Sequence, residues 1–219
     1  MKKTSLLGLA AALLTAGCST VGVRSGTEEP AHTVVERIGE VEIRRYGPRI
    51  AAQTVVTGSS EAARNRGFQR LAGYIFGGNT SRSSIAMTAP VAQAPEPGGP
   101  AGSRSIAMTA PVAQGPAGSG RWVIQFFMPG AWTMETLPIP RDPAVSLVEL
   151  PPESYAVLRF SGLAGTQAVA ARQAELAAAV QASTWTADGE PVVWFYDPPW
   201  TVPPLRRNEV AVRVTSTAR

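Results

Sequence analysis

The sequence predicts an antiparallel α+β fold in which two helices cover a sheet or barrel. Three observations lead there. The order two strands, helix, two strands occurs twice along the chain, weak as a residue repeat but clear as a repeat of elements. Ser161-Gly162 echoes Thr57-Gly58 at the two strand-to-helix transitions. The 219 residues are 44% hydrophobic and 16% charged, which suits one domain with a core and is too apolar for wholesale disorder.

Thr33–Glu36 and Glu40–Tyr46 read as strands around a turn at Gly39. In the second, Val41, Ile43 and Arg45 alternate with Glu42, Arg44 and Tyr46. Ile50–Thr57 is a third strand, rich in β-branched residues, and Gly58-Ser59-Ser60 breaks it and offers an N-cap. The helix that follows carries Phe68, Leu71, Ala72 and Ile75 at i, i+3, i+4 and i+7, one apolar face, and Gly77-Gly78-Asn79 ends it. An Ile-Ala-Met-Thr-Ala-Pro-Val segment and Trp122–Met128 complete the first half. In the second half, Ser146–Leu150 and Tyr155–Phe160 are strands. A helix runs from about Thr166 to Ala182 with Val169, Gln173, Leu176, Ala177 and Val180 on one face. Val192–Tyr196 and Glu209–Val214 close the domain.

Ser84–Gln93 and Ser105–Gln114 both read SIAMTAPVAQ, an exact repeat across the Pro/Gly-rich stretch Ala94–Arg104. The duplication and its insertion occupy 84–120. One copy is expected as strand and the other as loop; the alternative is an extended hairpin using both.

Lys2 and Lys3 are the only lysines, so loss of the leader lowers the net charge from +4 to +2. Without basic runs this is a poor nucleic-acid footprint, and no nucleic-acid partner is expected. One Cys and one His exclude internal disulfides and a Cys/His zinc cluster. Glu40 and Glu42 share a strand face, but nothing pairs with them as acid, base or metal ligand. No catalytic residue is identified, and the chain is not expected to be an enzyme.

Met1-Lys2-Lys3 is a positive n-region, and Leu6–Leu14 is an apolar stretch of signal-peptide length. Thr15-Ala16-Gly17-Cys18 resembles the lipobox of bacterial lipoproteins, with Thr15 in the usual aliphatic place. Residues 1–17 are therefore expected to be a signal peptide, and Cys18 to carry the lipid that anchors the protein to a membrane. Ser19 rather than Asp after the Cys favours the outer membrane, by resemblance to enterobacterial sorting rules. The expected location is the cell envelope, facing the periplasm. Residues 18–32 read as a flexible tether and 33–216 as the domain.

Seven segments, in order, carry a wider resemblance. They are EIRRY ending at Tyr46, GFQRLAGYIFGGN at 67–79, IAMTAPV, WVIQFFMP at 122–129, LP-x-P at 137–140, AVLRFSG at 156–162 and YDPPWTVPPLRRNEV at 196–210. Together, over about 33–214, they resemble the SOUL haem-binding protein family. The resemblance implies a distorted antiparallel barrel of two pseudo-symmetric halves, each with one helix, that binds haem or a related tetrapyrrole. It places a pocket along the first helix, at Phe68, Leu71, Ala72 and Ile75, with Trp200 and Thr201 from the C-terminal loop. A porphyrin is a flat apolar plate with two propionates, and Arg70 and Arg206 are candidates to meet them. Met87, Met108 and Tyr74 are weak candidates for the iron, and no His axial ligand is expected, since His32 sits in the lead-in. The same helix stripe also reads as an ordinary core face. Arg207 and Asn208 read as structural, pairing with Asp197 or Glu209 to fix the last hairpin. Because the family joins helix to strand by a short link, the first SIAMTAPVAQ copy is assigned to the strand, leaving a loop from Ala94 to about Gly120.

The expected function is a lipid-anchored envelope protein that buffers or ferries haem. The alternatives are a general apolar-ligand module, since the fold resembles the effector-binding domains of drug-responsive regulators, and an envelope interaction protein with a vestigial pocket.

Overall fold

A computed structural model of the protein describes residues 26–81 and 102–217. The signal peptide, Cys18, and the first SIAMTAPVAQ copy with Met87 lie outside the described residues. In chain order the elements are β1 (His32–Ile38), β2 (Val41–Tyr46), β3 (Arg49–Thr57), α1 (Ser60–Ile75), β4 (Asn79–Thr80), β5 (Val112–Pro116), β6 (Arg121–Phe127), β7 (Ile139–Pro140), β8 (Ser146–Leu150), β9 (Glu153–Ser161), α2 (Thr166–Gln181), β10 (Trp185–Ala187), β11 (Val192–Phe195) and β12 (Arg207–Ser216).

The chain divides into two compact units. One takes Thr33–Arg45 with the chain from Ser154 onward; the other takes Glu28–His32 with Tyr46–Glu153. Each is an antiparallel sheet with one helix, as an α+β fold of two similar halves requires. The strand order is β8-β3-β6-β5 in one and β2-β9-β12-β11 in the other, with β1 added beside β2 and β10 also paired to β12. The units are not the two sequence halves. The leading strand of each half is exchanged: β8 pairs with β3, with Arg49 opposite Leu150, and β2 lies beside β9.

In the unit holding α1, Ser59 caps the helix by accepting the Ala62 N–H, and Gly78 N–H returns to the Gly73 carbonyl at 2.8 Å after the last turn. Leu71, Tyr74 and Ile75 pack with Ala52, Ile124, Phe126 and Leu137 into one core. The close approach of α1 to the sheet depends on Gly67, where a Cβ would stand 2.4 Å from Ile124 Cγ1. In the other unit, Leu176 and Val180 of α2 pack with Ile43, Leu158, Val210 and Val212. Val169 also packs there, whereas Ala177 faces out. In β2, Val41 and Ile43 are buried as the alternation predicts, but Arg44 is buried and Arg45 exposed.

Two expectations are revised. The second copy, not the first, supplies the strand before β6: Ile106 is buried, and Val112–Gln114 lie in β5 opposite β6. The reason is the turn. The second copy runs straight into a tight hairpin in which Ala117 N–H bonds the Arg121 carbonyl, whereas the first would place a long loop inside the hairpin and release its register. The expected tether also ends early. Glu28 bridges Thr109, its carbonyl accepts the Ala110 N–H, and the His32 ring meets Tyr46 at 5.1 Å.

The repeat allows a test of the insertion. Deleting 84–104 or 94–114 yields one and the same polypeptide, with one copy feeding the hairpin. Ser81 N–H donates to the Gly102 carbonyl at 2.7 Å, so the ends of the insertion already meet. The Asn79 side chain holds the backbone N–H and carbonyl of Arg104 at 2.9 and 2.8 Å, contacts any residue can provide. Loop closure varies only logarithmically with length. The shortened protein is expected to fold with a stability within about 2 kcal/mol of the parent, measured by urea unfolding; an unfolded product would show that the insertion is structural.

Candidate functional site

α1 has two apolar faces, not one. Leu71 and Ile75 have no accessible surface to speak of and belong to the core. Phe68 is 37% exposed, Phe76 is 65% exposed, and half-buried Ala72 lies between them at i+4. These three form a stripe along the outside of the helix. The ring of Phe68 rests edge-on against Phe126, centroids 5.3 Å apart, which fixes its orientation. Beside the stripe Gly73 leaves open space where a side chain would stand. Of the expected wall, Leu71 and Ile75 are thus core residues, whereas Phe68 and Ala72, joined by Phe76, lie on the more exposed side of the helix. The missing signal was the 68-72-76 spacing, hidden because the larger i, i+3, i+4, i+7 set is the core face.

Phe76 is held at the helix end. Its N–H donates to the Ala72 carbonyl at 2.9 Å, and it bridges Ser105 while Ile106 N–H bonds the Ile75 carbonyl at 2.8 Å. This draws the second copy alongside the stripe, and on that copy Met108 is 37% exposed. Tyr74 is buried and its hydroxyl donates to the Pro138 carbonyl at 2.9 Å, so it is a core residue and not an iron ligand. Arg70 donates to Thr54 Oγ1 at 3.0 Å and pairs with Asp142 at 3.1 Å. That pair is exposed enough to exchange partners at little cost.

In the other unit the C-terminal loop is a rigid turn. Arg206 donates from Nε to the Thr201 carbonyl at 2.7 Å and from its terminal nitrogen to the Pro199 carbonyl. Arg206 is therefore a loop clamp and not a propionate partner. Thr201 is fully buried and presents nothing to a ligand, whereas Trp200 is 63% exposed. Arg207 N–H donates to Asp197 Oδ2 at 2.7 Å, the hairpin contact read from the sequence, whereas the Asn208 side chain donates instead to the Gly162 carbonyl at 3.0 Å and ties β12 to the end of β9.

The same unit buries a charge cluster. Glu209, with no exposed surface, takes both terminal nitrogens of Arg44 at 2.8 and 3.1 Å, the Arg207 guanidinium at 2.9 Å and the Tyr196 hydroxyl at 2.7 Å. Arg207 lies 3.7 Å above the Tyr196 ring centroid. Burial alone pushes the Glu209 carboxyl up. The hydrogen bonds and charge of Arg44, with Arg207 and Tyr196, outweigh it and hold the group below the usual carboxylate range. With every lone pair taken, this cluster is a structural lock and has no capacity left for a ligand. Among the described residues no group of three His, Cys, Asp or Glu side chains is placed to hold a metal ion, and no helix is long and apolar enough to cross a membrane.

Comparison with known proteins adds the following. The family model described as SOUL heme-binding protein matches residues 27–213. Heme-binding protein 2 of Mus musculus is 38% identical over 88 residues, which is 36% of this chain and 43% of the mouse protein, so the alignment spans less than half of that relative. The crystal structure of the EcmrR C-terminal domain superposes with a TM-score of 0.55 at 9% identity, covering 80% of this chain and 97% of that one. The EcmrR chain in a cryo-EM complex with DNA gives 0.53 at 10% identity, covering 80% and 57%. At these identities the two structures share the fold alone.

Proposed function

This chain belongs to the SOUL heme-binding protein family, and from that premise we propose that it binds haem or a related tetrapyrrole and catalyses no reaction on it. The family match over residues 27–213 carries the reading. The outer stripe of α1 supports it: Phe68, Ala72 and Phe76 offer a flat, exposed apolar strip of the kind a porphyrin face requires, and the Arg70–Asp142 pair can turn toward a propionate. The bound group would be held mainly by apolar contact, with Met108 as an exposed thioether on the segment that Phe76 bridges and His32 uninvolved.

The expected result of titrating hemin into the full chain is a shifted Soret band that saturates at one haem per chain, with a dissociation constant of about 1 μM, near 8 kcal/mol of binding. His32→Ala should leave the band unchanged. Absence of a saturable shift would remove the haem reading.

The proposal extends to location. The leader ending at the sole cysteine supports a protein lipid-anchored through Cys18 in the cell envelope, facing the periplasm, where it would buffer or pass on its ligand. Metabolic labelling with a fatty-acid probe should mark the parent chain and not Cys18→Ser; equal labelling of both would refute the anchor.

A further inference from the structure

The unit formed by Glu28–His32 and Tyr46–Glu153 contains a cavity of about 750 Å³, within the range that takes a drug-sized molecule. No residue of α1 lines it, so it is a different place from the outer stripe. Phe127, Met128, Trp132 and Met134 give it aromatic and thioether walls, surfaces that adapt to irregular apolar shapes. Glu28, Glu29, Glu135 and Glu149 also line it.

Among the described residues that line the cavity, Arg49 is the one basic side chain. Its charge is matched inside the fold: it pairs with Glu153 at 2.9 Å and lies between the rings of Tyr46 and Phe127, 4.4 and 5.3 Å from their centroids. Glu28, by contrast, accepts a neutral backbone N–H from Gly130 at 2.7 Å, which orients the carboxylate without cancelling its charge. The wall it belongs to is built in, since Glu28 also bridges Thr109 and receives the Ala110 N–H at 2.9 Å. The described lining therefore combines apolar surface with four carboxylates and one guanidinium that is already paired.

We propose that this cavity is a second ligand site, and that it takes a lipophilic organic cation. Aromatic faces attract a cation through their quadrupole, thioethers fill gaps around its hydrophobic body, and the carboxylates supply the sign. The same carboxylates disfavour haem, whose propionates make it an anion, so the two sites separate by charge. This inference does not rest on the haem reading.

Tetraphenylphosphonium and tetraphenylborate have the same shape and opposite charge, and isothermal titration of the full chain with each tests the assignment. The phosphonium is expected to bind saturably, one per chain, and at least tenfold more tightly than the borate. Glu28→Gln/Glu149→Gln, which preserves shape and the acceptor for the Gly130 N–H, should weaken the phosphonium about tenfold while near-ultraviolet circular dichroism stays unchanged. If that variant fails to fold, a salt series on the parent decides: affinity for the phosphonium must fall as NaCl rises from 50 to 500 mM. Preloading with hemin should leave the phosphonium isotherm unaltered, whether or not hemin itself binds. Equal affinity for the two ions, no saturable phosphonium binding, displacement by hemin, or an unweakened folded variant would each overturn the proposal.

Discussion

Glu209→Gln is expected to destabilise the protein by roughly 3–5 kcal/mol, the range for breaking a buried ion pair from one side. The carboxylate has no exposed surface and neutralises Arg44, itself buried, and Arg207. Gln keeps the volume but removes the charge, and turns an N–H₂ group toward guanidinium donors. Both cations then lose the buried counter-charge they share, Arg44 falling back on the half-buried Glu42 at 2.8 Å, a cost larger than the hydrogen bonds lost. Arg44→Met should cost less, because Arg207 still faces Glu209. Urea unfolding of the three proteins at pH 7 measures the order, and equal stability of parent and Glu209→Gln would contradict it. Acid sharpens the comparison. Glu209 titrates below its unfolded value in the native state, so its stabilisation is complete above the unfolded carboxyl pKa, near 4.3, and disappears as the pH falls through the lower native pKa. Glu42, flanked by Arg44 and Arg37 and also lowered against the opposing effect of its burial, adds to the same trend. The gap between parent and variant should therefore narrow below about pH 4.

In the hemin titration, Phe76→Asp is expected to weaken binding by roughly 100-fold, about 2.7 kcal/mol. The substitution removes an apolar side chain from the outer stripe and sets a carboxylate where propionates approach. Phe76 is 65% exposed, so the core does not depend on it. Phe68→Asp should also abolish the Soret shift, but it loses the edge contact with Phe126 as well, which makes Phe76 the cleaner probe. An intact Soret response in folded Phe76→Asp would move the haem to another surface.

The regular elements were legible because period and capping are local. The Phe68-to-Ile75 spacing, the Ser59 cap and the Gly77-Gly78 stop place α1 with its observed ends, and the β-branched run 50–57 marks β3. The strands β4, β7 and β10 were not seen, since two or three residues carry no period. Arg44 was placed with Glu42 and Tyr46 by alternation alone; nothing near it in sequence reveals a partner at position 209, because ion pairing is a property of the tertiary neighbourhood. The site residues divided along the same line. A helical stripe tells that a face is apolar, not whether a sheet or solvent lies over it, so Leu71 and Ile75 proved to be core while Phe76, one step past the counted pattern, stands outside. The acidic cavity draws on segments around residues 28, 49, 130 and 150, and no local window contains them.

The exchange of leading strands has a consequence for how the molecule is made. The free edge of β3 is satisfied only when β8 arrives, so Arg49 waits through synthesis of the chain as far as Leu150. β2, made earlier still, waits for β9, and β9 for β12 near the C-terminus. A nascent chain holding β2, β3 and α1 therefore carries open strand edges for most of its elongation, the state in which edges find wrong partners. Pairings so distant in sequence also make the search for the native register slow. Neither sequence half contains a complete sheet, and truncation anywhere before β12 strips one unit of its central partner.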